Sequence, residues 1–117
     1  MPVSATPLPR PQVLVIDDSR VIRKAIENIL CNEFDLLEAA DGEAGWRTLL
    51  ADHNFQVVLS DIDMPHLDGY GLICRIRAHA DERIHDLPVI VVTGADDAQT
   101  RERAFACGAT DFIIKPI

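Results

Sequence analysis

Cysteine is sparse and unpatterned. Cys31, Cys74 and Cys107 are the only three, an odd number with no CxxC spacing, so a complete disulfide framework is excluded. They read as reduced, buried small hydrophobes of a cytoplasmic protein. Long apolar runs are also missing, since none approaches the ~18 residues of a membrane span. The N-terminus lacks the basic-then-apolar pattern of a secretion signal. Positive charge is short: eleven basic residues stand against nineteen acidic, for a net charge of −8. That balance argues against direct nucleic-acid binding and against adsorption to anionic lipid. No repeat and no second domain is visible. What is present, 117 residues with 48% hydrophobic and 26% charged, fits one folded domain with a core that needs no disulfide or structural metal.

Residues 1–11 carry four prolines, Pro2, Pro7, Pro9 and Pro11. Such a segment lacks backbone donors and apolar periodicity and is expected to be a flexible or extended leader. From Gln12 two kinds of segment alternate. Val13–Ile16, Leu36-Leu37, Val57–Leu59, Val89–Val92 and Phe112–Ile114 are short apolar runs, suited to strands buried on both faces of a parallel sheet. Helix-period segments lie between them. The first carries a broad stripe of Val21, Ile22, Ala25, Ile26, Ile29 and Leu30 behind Ser19 as N-cap. Asp41 and Asp68 are expected to cap the second and third, and Asp96 or Asp97 the fourth, which stops at Gly108. The order β-α-β-α-β-α-β-α-β predicts an α/β, doubly wound five-stranded parallel sheet with helices on both faces. No helix segment follows the fifth strand. The second sheet face is therefore expected either to have lost its covering helix by truncation or to be covered by something else.

In such a sheet, ligands bind beyond the carboxyl ends of the strands. Asp17-Asp18 end the first run, Asp61 the third, Thr93-Gly94 the fourth and Lys115-Pro116 the fifth. Any one of these acids is explicable as a cap or turn former. Three carboxylates converging at one edge repel by about 1 kcal/mol per pair at ~4 Å in water, and by several times that near a protein surface. A hard divalent cation such as Mg²⁺ compensates them, and Lys115 adds positive charge. A metal, a hydroxyl, an ammonium and a nucleophilic carboxylate are the parts of a phosphoryl-transfer site. His53, His66, His79 and His85 are scattered and have no evident ligand partners.

The motifs VLVIDDS at 13–19, LSDIDMPHLDGYGL at 59–72, VIVVTGAD at 89–96 and DFIIKPI at 111–117 resemble the receiver domains of two-component response regulators. The likeness runs from Gln12 to Ile117, and the DxxMPxxDG pattern at Asp61–Gly69 is its most specific part. It implies a flavodoxin-like sheet of order 2-1-3-4-5, residues 12–117 as a receiver truncated after strand five with the fifth helix absent, and a phosphorylation-activated switch rather than a turnover enzyme. Asp61 would accept the phosphoryl group from a histidine-kinase phosphohistidine or a small donor. Asp17, Asp18, Asp61 and the backbone carbonyl of Asp63 would hold Mg²⁺, with Mn²⁺ able to substitute. Thr93 and Lys115 would bind phosphoryl oxygens, and Lys115–Pro116 would be cis. Phe112 stands at the switch-aromatic position, though a plain core role is open to it too. Gly69 is expected in a turn conformation that other residues resist. The implied partners are a sensor histidine kinase or phosphotransfer protein and an output domain beyond residue 117. Monomer and homodimer both stay open.

Two other functions compete. Asp61-Ile62-Asp63 matches the DxD of haloacid-dehalogenase-like phosphatases, but in that family the nucleophile ends the first core strand, and here two strands precede it. A degenerate receiver used only for docking would be expected to lack one of the five site residues, and none is missing.

Overall fold

The computed structural model describes residues 10–52 and 54–116. Most of the expected leader, together with His53 and Ile117, lies outside them. Arg10 and Pro11 are anchored rather than loose: the Asp35 N–H donates to the Pro11 carbonyl at 3.0 Å and Arg10 Nη1 to the Cys31 carbonyl at 2.8 Å.

Five strands, β1 (Gln12–Ile16), β2 (Asp35–Ala39), β3 (Phe55–Ser60), β4 (Val89–Thr93) and β5 (Asp111–Ile114), form one parallel sheet. Its order, β2-β1-β3-β4-β5, is the expected one. The helices are α1 (Arg20–Leu30), α2 (Gly42–Ala51), α3 (Gly69–Ala78), the single turn α4 (Glu82–His85) and α5 (Ala98–Cys107). The expected caps hold. Ser19, Asp41, Asp68 and Asp97 each accept a backbone N–H from the first turn that follows. Such caps satisfy donors that a helix start leaves unpaired. The α4 turn carries too little apolar pattern to be foreseen; Asp81 caps it and Ile84 is its one buried residue.

The two faces of the sheet are unequally packed. On one, sixteen buried residues, among them Leu14, Ile16, Val58, Leu72, Ile73, Ile76 and Val91, form a continuous core under α2, α3 and α5. On the other, Val13, Val15 and Ile26 form a small cluster under α1. Beside it runs an apolar groove of about 320 Å³, lined by Ile29, Phe34, Leu59, Val92 and Ile113 among others. The broad stripe expected to be buried on α1 is only partly so: Val21 is 77% and Ile29 57% exposed. The edge strand β2 is also largely exposed, with Leu37 open, so burial on both faces does not extend to it. The cysteines differ from expectation too. Cys31 and Cys74 are exposed and Cys107 is half-buried, because each sits near a helix end or on an outward face.

One side chain ties the lower end of the large core together. Arg77 of α3 donates through Nε to the Gly108 carbonyl at 2.9 Å and through Nη1 to the carbonyls of His85 at 2.9 Å and Leu87 at 2.6 Å. Its Nη2 reaches Thr110 Oγ1 at 3.3 Å, which in turn accepts from the Val89 N–H at 3.0 Å. Gly108 ends α5 with φ of 112°, and a Cβ there would lie 2.8 Å from Arg77 Cγ. Both the left-handed backbone and the close approach require glycine. Arg77→Ala strands several carbonyls at once and is expected to cost about 2–3 kcal/mol, read as a lowered urea midpoint. Arg77→Lys should recover little of it, since an ammonium cannot reproduce the fork.

Candidate functional site

The hydrogen-bond ladder of the sheet runs one step beyond the strand ends and fixes the polar residues there. Asp17 N–H donates to the Ala39 carbonyl at 3.1 Å, Asp61 N–H to the Ile16 carbonyl at 2.9 Å and Lys115 N–H to the Thr93 carbonyl at 2.8 Å. The apolar runs thus set the register, and the register sets the crevice. Among the described residues, Asp17, Asp18 and Asp61 bring one carboxylate oxygen each within 4.8 Å of one another. Asp17 and Asp61 are buried, at 1% and 8% exposure, and Asp18 is exposed.

Lys115 enters this group from the end of β5. Its Nζ lies 2.9 Å from Asp17 Oδ2 and 3.2 Å from Asp61 Oδ2. The other Asp61 oxygen accepts from the Ile62 N–H at 2.8 Å, and Asp17 Oδ1 from the Ser19 N–H at 2.8 Å. Burial raises the Asp61 carboxyl above its ordinary pKa. The Ile62 N–H and Lys115 oppose the shift without cancelling it, and the Asp17 charge adds to it. Burial works against the Lys115 ammonium, but its carboxylate partners prevail and hold its pKa above the usual lysine value. Asp17 Oδ2 is buried and, though close to Lys115, accepts no well-directed hydrogen bond. A buried carboxylate oxygen with spare acceptor capacity, two more carboxylates beside it and one side exposed through Asp18 is an oxygen donor set that suits a hard divalent cation.

The remaining expected residues divide. Thr93 is 2% exposed at the end of β4; its hydroxyl accepts from the Ala95 N–H at 3.3 Å, which leaves its own proton to donate. A Cβ at the neighbouring Gly94 would meet nothing within 4 Å, so the approach beside Thr93 is open. The Asp63 side chain is exposed and outside the carboxylate group. Phe112 is 6% exposed and belongs to the large core, with Phe105 at 6.5 Å between ring centroids and the Arg101 guanidinium 5.4 Å from its ring. The Lys115–Pro116 bond is cis, as expected. Gly69 corrects its expectation. It is the first residue of α3, and among the described glycines only Gly108 has positive φ. Its constraint is space: a Cβ would lie 2.3 Å from the Asp61 carbonyl oxygen.

Two contributors were not visible in the sequence. Arg23, on the inner face of α1, donates to the Asp17 carbonyl and pairs with Glu38 at 3.0 Å, steadying the loop that carries both upstream acids. Ser60 is 1% exposed and donates to the Asp61 carbonyl at 2.9 Å. Arg23 lies one helical turn beyond Ser19, a spacing shared with countless surface arginines, so only the fold singles it out.

A 2-1-3-4-5 parallel sheet with acids and a lysine gathered at its carboxyl edge defines a CheY-like protein of the flavodoxin type. The model of the response regulator receiver domain matches residues 13–117. The chain belongs to that family, whose members are regulatory domains of two-component signalling systems. It is 33% identical over 107 residues to chemotaxis protein CheY1 of Helicobacter pylori, covering 90% of this chain and 85% of that one. It is 38% identical over 106 residues to the probable transcriptional regulator ycf27 of Porphyridium aerugineum, covering 90% of this chain but only 42% of that protein's length. The structure of Vibrio cholerae chemotaxis protein CheY4 superposes with a TM-score of 0.83 at 26% identity, covering 92% of this chain and 88% of that one.

Proposed function

We propose that this domain is switched by Mg²⁺-dependent phosphorylation of Asp61. The observation that carries the reading is the crevice itself: three carboxylates within 4.8 Å, with Lys115 bridging Asp17 and Asp61. An Asp61 carboxylate oxygen attacks the phosphorus of a kinase phosphohistidine or of a small donor. The phosphorus–nitrogen bond of the phosphohistidine breaks, its imidazole leaves, and Asp61 becomes an acyl phosphate. Asp17, Asp18, Asp61 and the Asp63 carbonyl would hold Mg²⁺, or Mn²⁺ in its place, which neutralises phosphoryl oxygens when bound. Lys115 holds one oxygen by charge, and the Thr93 hydroxyl donates to another. Since Asp61 is regenerated only by hydrolysis of its own adduct, the domain is a regulatory acceptor and not a turnover enzyme.

The added charge of about −1.5 to −2 draws Thr93 inward, and that shift is passed to β5 and α5. The Phe112 ring is already buried, so it serves by repacking against Phe105 and Arg101 rather than by entering from solvent. The phosphate biases this element only as far as it prefers one arrangement.

In this reading residues 12–117 are the receiver and residues 1–11 its leader. The partners are a sensor histidine kinase or phosphotransfer protein, an output domain beyond residue 117 as the longer Porphyridium relative parallels, and a second copy if the domain dimerises. A cytoplasmic location fits a kinase partner, and no described helix is long and apolar enough to cross a membrane.

The test is intact mass after incubation with acetyl phosphate, with and without Mg²⁺. One phosphoryl adduct that needs the metal supports the reading; a folded chain with no adduct overturns it. Lys115→Ala should retain much of the adduct but lose the change in amide exchange of α5 that phosphorylation causes. An undiminished α5 response in that variant would remove Lys115 from the switch.

A further inference from the structure

Helices α3 and α5 are paired by contacts that follow the same order along both. Tyr70, in the first turn of α3, lies under the guanidinium of Arg103, midway along α5, 4.0 Å from the ring centroid. At their ends, Arg77 Nε donates to the Gly108 carbonyl at 2.9 Å. Between these rungs, four residues on from Tyr70 and four on from Arg103, stand Cys74 and Cys107. Residues four apart share a helix face, so the two cysteines stand at matching positions on the facing sides of the helix pair. Cys74 is exposed, whereas Cys107 is half-buried and packed against the large core. Cys31 is exposed at the far end of α1, on the opposite side of the sheet.

We propose that Cys74 and Cys107 are an oxidisable dithiol, which a peroxide converts into a disulfide that staples α3 to α5. Cys74, open to solvent, reacts first. Its thiolate attacks one peroxide oxygen, the oxygen–oxygen bond breaks, and the leaving hydroxide takes up a proton as water. Cys74 is then a sulfenic acid. The Cys107 sulfur attacks the Cys74 sulfur and loses its proton, the sulfur–sulfur bond forms, and the displaced hydroxide leaves with that proton as a second water. Two thiols are oxidised and one peroxide is reduced. Burial pushes the Cys107 thiol up, and Cys74 beside it adds to the shift. A raised, half-buried thiol is the slower of the two toward peroxide, which leaves Cys107 the second, resolving step. The residues involved are separate from the carboxylate crevice, so the cross-link forms whether or not Asp61 accepts a phosphoryl group.

The test treats the whole chain with hydrogen peroxide, alkylates the remaining thiols and reads intact mass and linked peptides. The expected product is monomeric, has lost two hydrogens and carries one alkyl group, on Cys31. Its rate of formation does not change on dilution. Cys74→Ser and Cys107→Ser, each checked for folding by circular dichroism, abolish the cross-link, and Cys31→Ser leaves it intact. In concentrated urea the pairing selectivity should vanish. Cys31-linked dimers as the main product, a sulfinate on Cys74 beside free Cys107, or equal selectivity in urea would each overturn the proposal.

Discussion

Asp61→Asn is expected to abolish the phosphoryl adduct outright and, without divalent cations, to raise the melting temperature. The amide keeps an oxygen for the Ile62 N–H, which the wild-type carboxylate accepts at 2.8 Å, but it offers no nucleophile. The stability effect follows from the raised Asp61 pKa, whose largest cause is burial. A carboxyl with a raised folded-state pKa binds its proton more tightly in the fold. Its favourable contribution is complete below the ordinary carboxylate pKa and is lost as pH rises through the folded value. The wild type loses it on ionising, whereas neutral asparagine keeps it at every pH. Removing one repulsive carboxylate pair is worth about 1 kcal/mol or somewhat more, or roughly 4 °C at this chain length. The advantage should shrink as pH falls through the raised folded value and be gone below about 4, the ordinary carboxylate range. It should reverse with saturating Mg²⁺, since a cation at a hundredfold excess over its Kd stabilises the wild type by about 2.7 kcal/mol. Differential scanning calorimetry across pH and metal concentration reads all three effects. Equal melting temperatures under every condition would show that Asp61 is not under charge stress.

Gly69→Ala should be strongly damaging, and damaging at the site itself. Its Cβ would stand 2.3 Å from the Asp61 carbonyl oxygen and 2.8 Å from Ile62 Cα. Both are backbone atoms held by the sheet, and the Gly69 N–H is tied to the Ile62 carbonyl at 2.8 Å. Neither side can yield without unwinding the start of α3 or moving the loop that carries Asp61. The expected cost is about 3 kcal/mol or more, with adduct formation falling alongside it. Gly94→Ala is the control: nothing lies within 4 Å of its Cβ, and its stability should be near wild type. A urea titration of the two variants separates a steric effect from a general effect of glycine replacement.

The crevice was legible because its residues are fixed by strand ends, and strand ends are marked by the stop of an apolar run. Asp17, Asp61, Thr93 and Lys115 each follow such a stop, so the parallel ladder alone brings them together. Helix starts were legible for a similar reason, since Asp41, Asp68 and Asp97 cap through local bonds. What depends on distant packing was not legible. The reach of Arg77 to four groups, the support of Asp17 by Arg23 and the steric role of Gly69 all join residues far apart in sequence or set a backbone distance that no periodicity encodes. The cysteines were misjudged for the same reason: average burial of the residue type says nothing about which face of α3 carries Cys74.

The unequal packing of the two sheet faces divides the crevice into a soft half and a hard half. Asp17 and Asp18 precede α1, which rests on a cluster of three buried residues, while Asp61 and Thr93 end strands held under the sixteen-residue core. Amides of α1 and β2 are therefore expected to exchange hydrogen through partial openings well below the energy of global unfolding, and those of β3 and β4 only near it. In the proposed reading, metal capture would double as an ordering event: Asp17 and Asp18 on the looser half and Asp61 on the rigid half would be held together, and part of the binding energy would go into suppressing that local breathing.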